Sequence, residues 1–116
     1  MFNKNVVYEA LKRSQNTDPG QDGFISLLIH DVFGGEILKT HKKKNWHFYN
    51  RIDGERVDFT LKNKSAGIKA FEDIPSTADE THDYVDQVDY STFFMRFIRA
   101  FEETVGLDQY RSGLSA

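Results

Sequence analysis

The 116 residues make one domain, 1–116, with room for a single core. An apolar fraction of 39%, a charged fraction of 28% and a net charge of −3 are those of an ordinary globular chain and give no reason to expect a nucleic-acid partner. Cysteine is absent, which excludes disulfides, thiolate metal sites and a thiol nucleophile together.

No apolar run approaches the ~18 residues of a membrane span. Met1-Phe2-Asn3-Lys4-Asn5 lacks the charged-then-apolar pattern of a signal peptide. A cytoplasmic protein without a membrane partner is therefore expected.

Val6, Val7, Ala10 and Leu11 recur at helical spacing and predict a first helix over residues 4–14, with Asn3 or Asn5 as N-cap. Ser14 to Gly20 is a string of turn formers. Residues 23–33 then read as a helix apolar nearly all round, hence buried on most sides and central to the fold. Asp22 takes its N-cap position and Gly34-Gly35 its C-terminal cap.

Strands are expected near 36–40, 46–52 and 55–60, in a three-stranded antiparallel meander. His41-Lys42-Lys43-Lys44 is read as a solvated hairpin tip rather than a nucleic-acid patch. Asp53-Gly54 between aromatic and β-branched runs is a two-residue hairpin turn. It pairs Ile52 with Glu55, Asn50 with Val57 and Phe48 with Phe59, and interleaves Tyr49 with Asp58 and His47 with Thr60. Ile68, Phe71 and Ile74 suggest a helical turn ending before Pro75. Phe94, Phe97, Ile98, Phe101 and Val105 form one helical stripe, opened by Asp89 or Ser91 and closed by Gly106, with a frayed tail from Leu107. The fold class is α+β: a buried central helix on a small antiparallel sheet, with N- and C-terminal helices.

The hairpin puts His47, Tyr49, Asp58 and Thr60 on one face. His47 and Asp58 stand on diagonal positions, within reach of a side-chain hydrogen bond. A histidine oriented by a carboxylate is the base half of a nucleophilic site. The same histidine also reads as a half-buried sheet residue with one hydrogen bond. Tyr49 and Arg51 either bind a ligand or cover the sheet. His30, Asp31, His41, His47 and His82 offer metal-ligand types but no HxxxH or HxxEH spacing, so neither a metal nor a cofactor is expected.

Three stretches carry a resemblance: Gly20-Gln21-Asp22-Gly23 with the helix ending Asp31-Val32-Phe33-Gly34-Gly35-Glu36-Ile37-Leu38; His47 to Gly54 running on to Val57-Asp58-Phe59-Thr60; and Glu72 to Thr77. Together they resemble the YunG-like family of small uncharacterised bacterial proteins. That family usually carries Gly-Gln-Cys where this chain has Gly20-Gln21-Asp22. The order cysteine, histidine, aspartate is similar to papain-like and NlpC-like folds, which implies a thiol hydrolase or transferase plan. A helix N-terminus lowers a thiol pKa, and histidine with aspartate completes the ion pair.

The departure falls on Asp22, which cannot do thiolate chemistry. His47 and Asp58 match the rest, with Gln21, Tyr49 and Arg51 as pocket residues. Two readings follow. One is a catalytically inactive papain-like relative that keeps a pocket or surface for an unknown small molecule or protein. The other is a non-thiol hydrolase using Asp22, His47 and Asp58. Both require the imidazole to lie on the same side of the sheet as the helix tip. The oligomeric state is not legible.

Overall fold

The computed structural model describes residues 2–14, 22–59 and 70–114. In chain order they form α1 (Lys4–Arg13), α2 (Asp22–Phe33), β1 (Glu36–Lys42), β2 (Asn45–Ile52), β3 (Glu55–Val57), β4 (Ile74–Ser76), α3 (Ala78–His82) and α4 (Gln87–Leu114). The fold is α+β, with a four-stranded antiparallel sheet in the order β3-β2-β1-β4.

Local chemistry accounts for most boundaries. The Asn3 side chain accepts from the backbone amides of Asn5 and Val6 and so caps α1. Gly34 ends α2 at φ +81°, with its N–H donating to the His30 carbonyl at 2.9 Å. Asp53 and Gly54 both take positive φ, 53° and 79°, which matches the twist of the β2–β3 hairpin. The register is Ile52 with Glu55, Arg51 with Arg56 and Asn50 with Val57, as the turn predicts.

Four expectations change. The ladder stops at Val57, so Phe48 and Phe59 do not pair, and Thr60 lies outside the described residues. Ile74 belongs to a strand rather than a helical turn. β4 adds to the free edge of β1, matching Leu38 with Pro75. Proline lacks a ladder N–H and is confined to such edges. Finally, α4 starts at Gln87 and passes through Gly106 to Leu114, so residues 107–114 are helical rather than a frayed tail. A mid-helix glycine costs only about 0.5–1 kcal/mol, too little to end a helix by itself.

α2 lies against the sheet face that carries Phe48, Asn50, Ile52 and Val57, and the Asn50 side-chain amide donates to the Ser26 carbonyl at 2.9 Å. Val7, Ala10 and Leu11 of α1 and Phe93, Phe97 and Ala100 of α4 complete the core. The predicted aromatic stripe is rotated slightly: Tyr90, Phe93, Phe97, Ala100 and Thr104 are buried, while Phe94, Ile98, Phe101 and Val105 flank them. Among the described residues no helix is long and apolar enough to cross a membrane.

Candidate functional site

The site forms where β3 runs out. Alternate residues of β2 turn their backbone groups toward β3, and Asn50 and Ile52 find partners there. Phe48 is the next in line, and its N–H goes instead to Asp22 Oδ2 at 2.7 Å. Asp22 is thus the first residue of α2, but its carboxylate is spent mainly across the sheet edge. The predicted role as a plain N-cap is corrected accordingly: the bond that fixes this side chain is to a strand amide 26 residues away.

His47 sits beside this contact. Its Nε2 meets Asp58 Oδ2 at 2.5 Å, and its Nδ1 lies 3.6 Å from Asp22 Oδ2. The imidazole is 2% exposed, and Nδ1 has no hydrogen-bond partner among the described residues. Buried polar atoms are nearly always satisfied, so an orphaned ring nitrogen aimed at a carboxylate marks a functional candidate. Asp58 directly follows β3, which is how the hairpin delivers it to His47. The predicted His47–Asp58 contact is therefore present.

The required meeting of imidazole and helix tip occurs at the sheet edge and not across one face, which corrects the expected geometry. Phe48, Asn50 and Ile52 face α2, so alternation puts His47, Tyr49 and Arg51 on the opposite face. The body of α2 and the imidazole are on different sides. They meet because the helix tip reaches the edge of β2 beyond the end of β3, where a side chain from either face is accessible.

Electrostatics sharpen the picture. Burial pushes the Asp22 carboxyl above its ordinary value, opposed by the Phe48 amide and by His47. Burial therefore outweighs these two and the weaker pulls of the Asp22 amide and Lys42, which also favour the anion. Tyr49 stacks on His47 with ring centroids 6.0 Å apart, while its hydroxyl donates to Asp73 Oδ1 at 2.7 Å. Burial and Asp73 together hold the Tyr49 hydroxyl well above its usual pKa, so it stays neutral. Tyr49 is a wall behind the imidazole.

Asp22 also opens onto a cleft of about 460 Å³. It is lined by Lys42, Lys43, Trp46 and Phe48 from the β1–β2 hairpin and by Tyr84 and Val85 from the α3–α4 connection. Gly23 permits the approach of that connection, since a Cβ there would stand 3.2 Å from Val85 Cγ1. Tyr49 and Arg51 do not line this cleft: Arg51 Nε is held by Glu36 at 2.6 Å at the far end of β2. Gln21 lies outside the described residues. Sequence reasoning missed Lys42, Trp46, Tyr84 and Val85 as cleft residues. The basic run His41 to Lys44 reads only as a solvated hairpin tip, and nothing in the sequence marks Tyr84 or Val85. No group of three or more metal-ligating side chains occurs among the described residues.

Residues 6–102 match the model of a protein family described as "YunG protein". An "Uncharacterized protein YunG" of Bacillus subtilis (strain 168) is 46% identical over 61 residues, 53% of this chain and 52% of that relative. The chain thus spans about half the length of the curated relative it matches. No solved structure matches it. The family match takes in the site strands and both helices that frame them, and the chain belongs to the YunG family.

Proposed function

We propose that this protein is a catalytically inactive relative of papain-like cysteine hydrolases or transferases, acting in the cytoplasm through a retained cleft that binds a small molecule or a protein. The observation that carries the reading is the line Asp58–His47–Asp22. One carboxylate engages Nε2, and the orphaned Nδ1 faces the first residue of a buried helix. A nucleophile placed at Asp22 would have both the helix dipole and an oriented base. Asp22 supplies neither sulfur nor a hydroxyl, and its carboxylate instead anchors α2 to β2. Loss of a triad nucleophile leaves only ~10³–10⁴-fold acceleration from binding and oxyanion donors.

Restoring the sulfur tests this. The Asp22→Cys variant should be alkylated by iodoacetamide at neutral pH at least about tenfold faster than a free peptide thiol, as expected for a thiol whose pKa is lowered from about 8.5. A rate equal to or below that of the free thiol contradicts the reading.

One observation favours the second reading, a non-thiol hydrolase using Asp22, His47 and Asp58. The Asp22 side chain is 16% exposed and its carboxyl is destabilised as an anion, which suits a group that exchanges protons. Under that reading, Asp22→Asn abolishes turnover of an activated acyl or glycosyl substrate while the protein stays folded. Under the first, there is no turnover to lose.

A further inference from the structure

The β2 edge that ends in Asp22 continues into the cleft. Asn50 and Ile52 are paired with β3 and the Phe48 N–H is held by Asp22. Trp46 is the next residue whose backbone points outward, and it has no ladder partner on that side among the described residues. An open edge is a template for another strand.

Three further observations describe what would lie along it. Lys42 and Lys43 stand at the end of the edge, and no ion pair holds either of them among the described residues. With Asp22 as the cleft's acidic group, the lining is net cationic. Tyr84 is 55% exposed and packs on Phe48 at 5.1 Å between ring centroids, giving an apolar wall beside Trp46. A strand-edge backbone, two cations and aromatic surface therefore line one cleft.

We propose that this cleft docks an extended acidic peptide segment of a partner protein as a short added strand that pairs with Trp46, beyond the Phe48 N–H that Asp22 already holds. Main-chain hydrogen bonds to the β2 edge hold the segment, as in β-augmentation. Its side chains alternate: one apolar residue lies against Trp46 and Tyr84, and flanking Asp or Glu residues reach Lys42 and Lys43. The inference rests on the reading of the site as a non-catalytic binding cleft and names its occupant.

Trp46 is the chain's single tryptophan, so its fluorescence reports this cleft directly. Displayed random heptapeptides are selected on the full-length protein and counter-selected on the Lys42→Glu/Lys43→Glu variant. A selected peptide is then synthesised and titrated by Trp46 fluorescence. The expected result is enrichment of Asp or Glu beside an apolar residue, with saturable binding. Reversing the two lysines, or N-methylating the peptide bond that faces β2, should each weaken binding by about tenfold or more.

The proposal is overturned if no lysine-dependent sequence is enriched. It is equally overturned if the N-methylated peptide binds as well as the parent, or if N-acetylglutamate amide binds as tightly as the peptide. These outcomes are separable from the chemistry of the Asp22→Cys thiol. Slow alkylation with peptide binding removes the enzyme ancestry and leaves the docking edge, whereas fast alkylation without a selected peptide does the reverse.

Discussion

Two histidine–carboxylate pairs occupy the same small sheet, and they are built very differently. His41, on β1, meets Glu72 at 2.9 Å with its side chain 60% exposed, and the Glu72 carboxylate also accepts from the His41 backbone N–H. His47, on β2, meets Asp58 at 2.5 Å with the imidazole almost fully buried and its second nitrogen unsatisfied beside Asp22. The first pair ties a loop to a strand in high dielectric, where such pairs contribute little. The second confines charge in the interior, where breaking a pair leaves the survivor stranded. Sequence proximity of histidine and acid types says nothing of this difference; the end of β3 creates it.

The largest expected effect comes from emptying the buried pair. His47→Ala strips Asp58 of its imidazole partner, leaves a cavity beside Asp22 and should cost roughly 3–5 kcal/mol in urea unfolding. A loss below about 1 kcal/mol, the ceiling for exposed pairs, would show that the two clusters are energetically alike. Asp58→Asn keeps the shape and one acceptor, and should cost about 1–3 kcal/mol by weakening the bond to Nε2.

Why the two pairs were not equally legible follows from where their causes lie. Asp53-Gly54 fixes the hairpin register locally, and with it the His47–Asp58 contact. The 23–33 apolar run and the Gly34-Gly35 stop are likewise local, as is the Asn3 cap. The Asp22–Phe48 bond is not, since it depends on β3 ending early and on a helix tip arriving from elsewhere in the chain. β4 was hidden by Pro75, which reads as a helix stop and is in fact tolerated on a sheet edge. The cleft joins the β1–β2 hairpin to Tyr84 and Val85, a juxtaposition that no period or motif encodes.

Asp22, beside the buried pair, and Glu72 of the exposed pair should also respond to acid with opposite signs. Burial raises the Asp22 pKa, so its ionised form detracts from stability above the folded pKa. That penalty fades as pH falls through the folded value and is gone below the ordinary aspartate value. Asp22→Asn removes the penalty. The variant's advantage over the natural protein should therefore shrink between pH 7 and pH 4, read as the difference in thermal midpoint. A growing advantage on acidification would contradict the burial effect.

Glu72 is held below its ordinary value by the His41 amide and ring, so what it contributes is present above the ordinary glutamate pKa and lost as pH falls through the lowered one. At this exposed site Glu72→Gln should leave the urea midpoint at pH 7 unchanged within measurement error.

The central claim is that an oriented imidazole and a helix tip converge on position 22. Its most direct test is the pH dependence of iodoacetamide alkylation of the Asp22→Cys variant. The account predicts a rate that inflects clearly below the ordinary cysteine value of about 8.5. An inflection at or above that value would mean that position 22 is simply a buried anchor for the sheet edge.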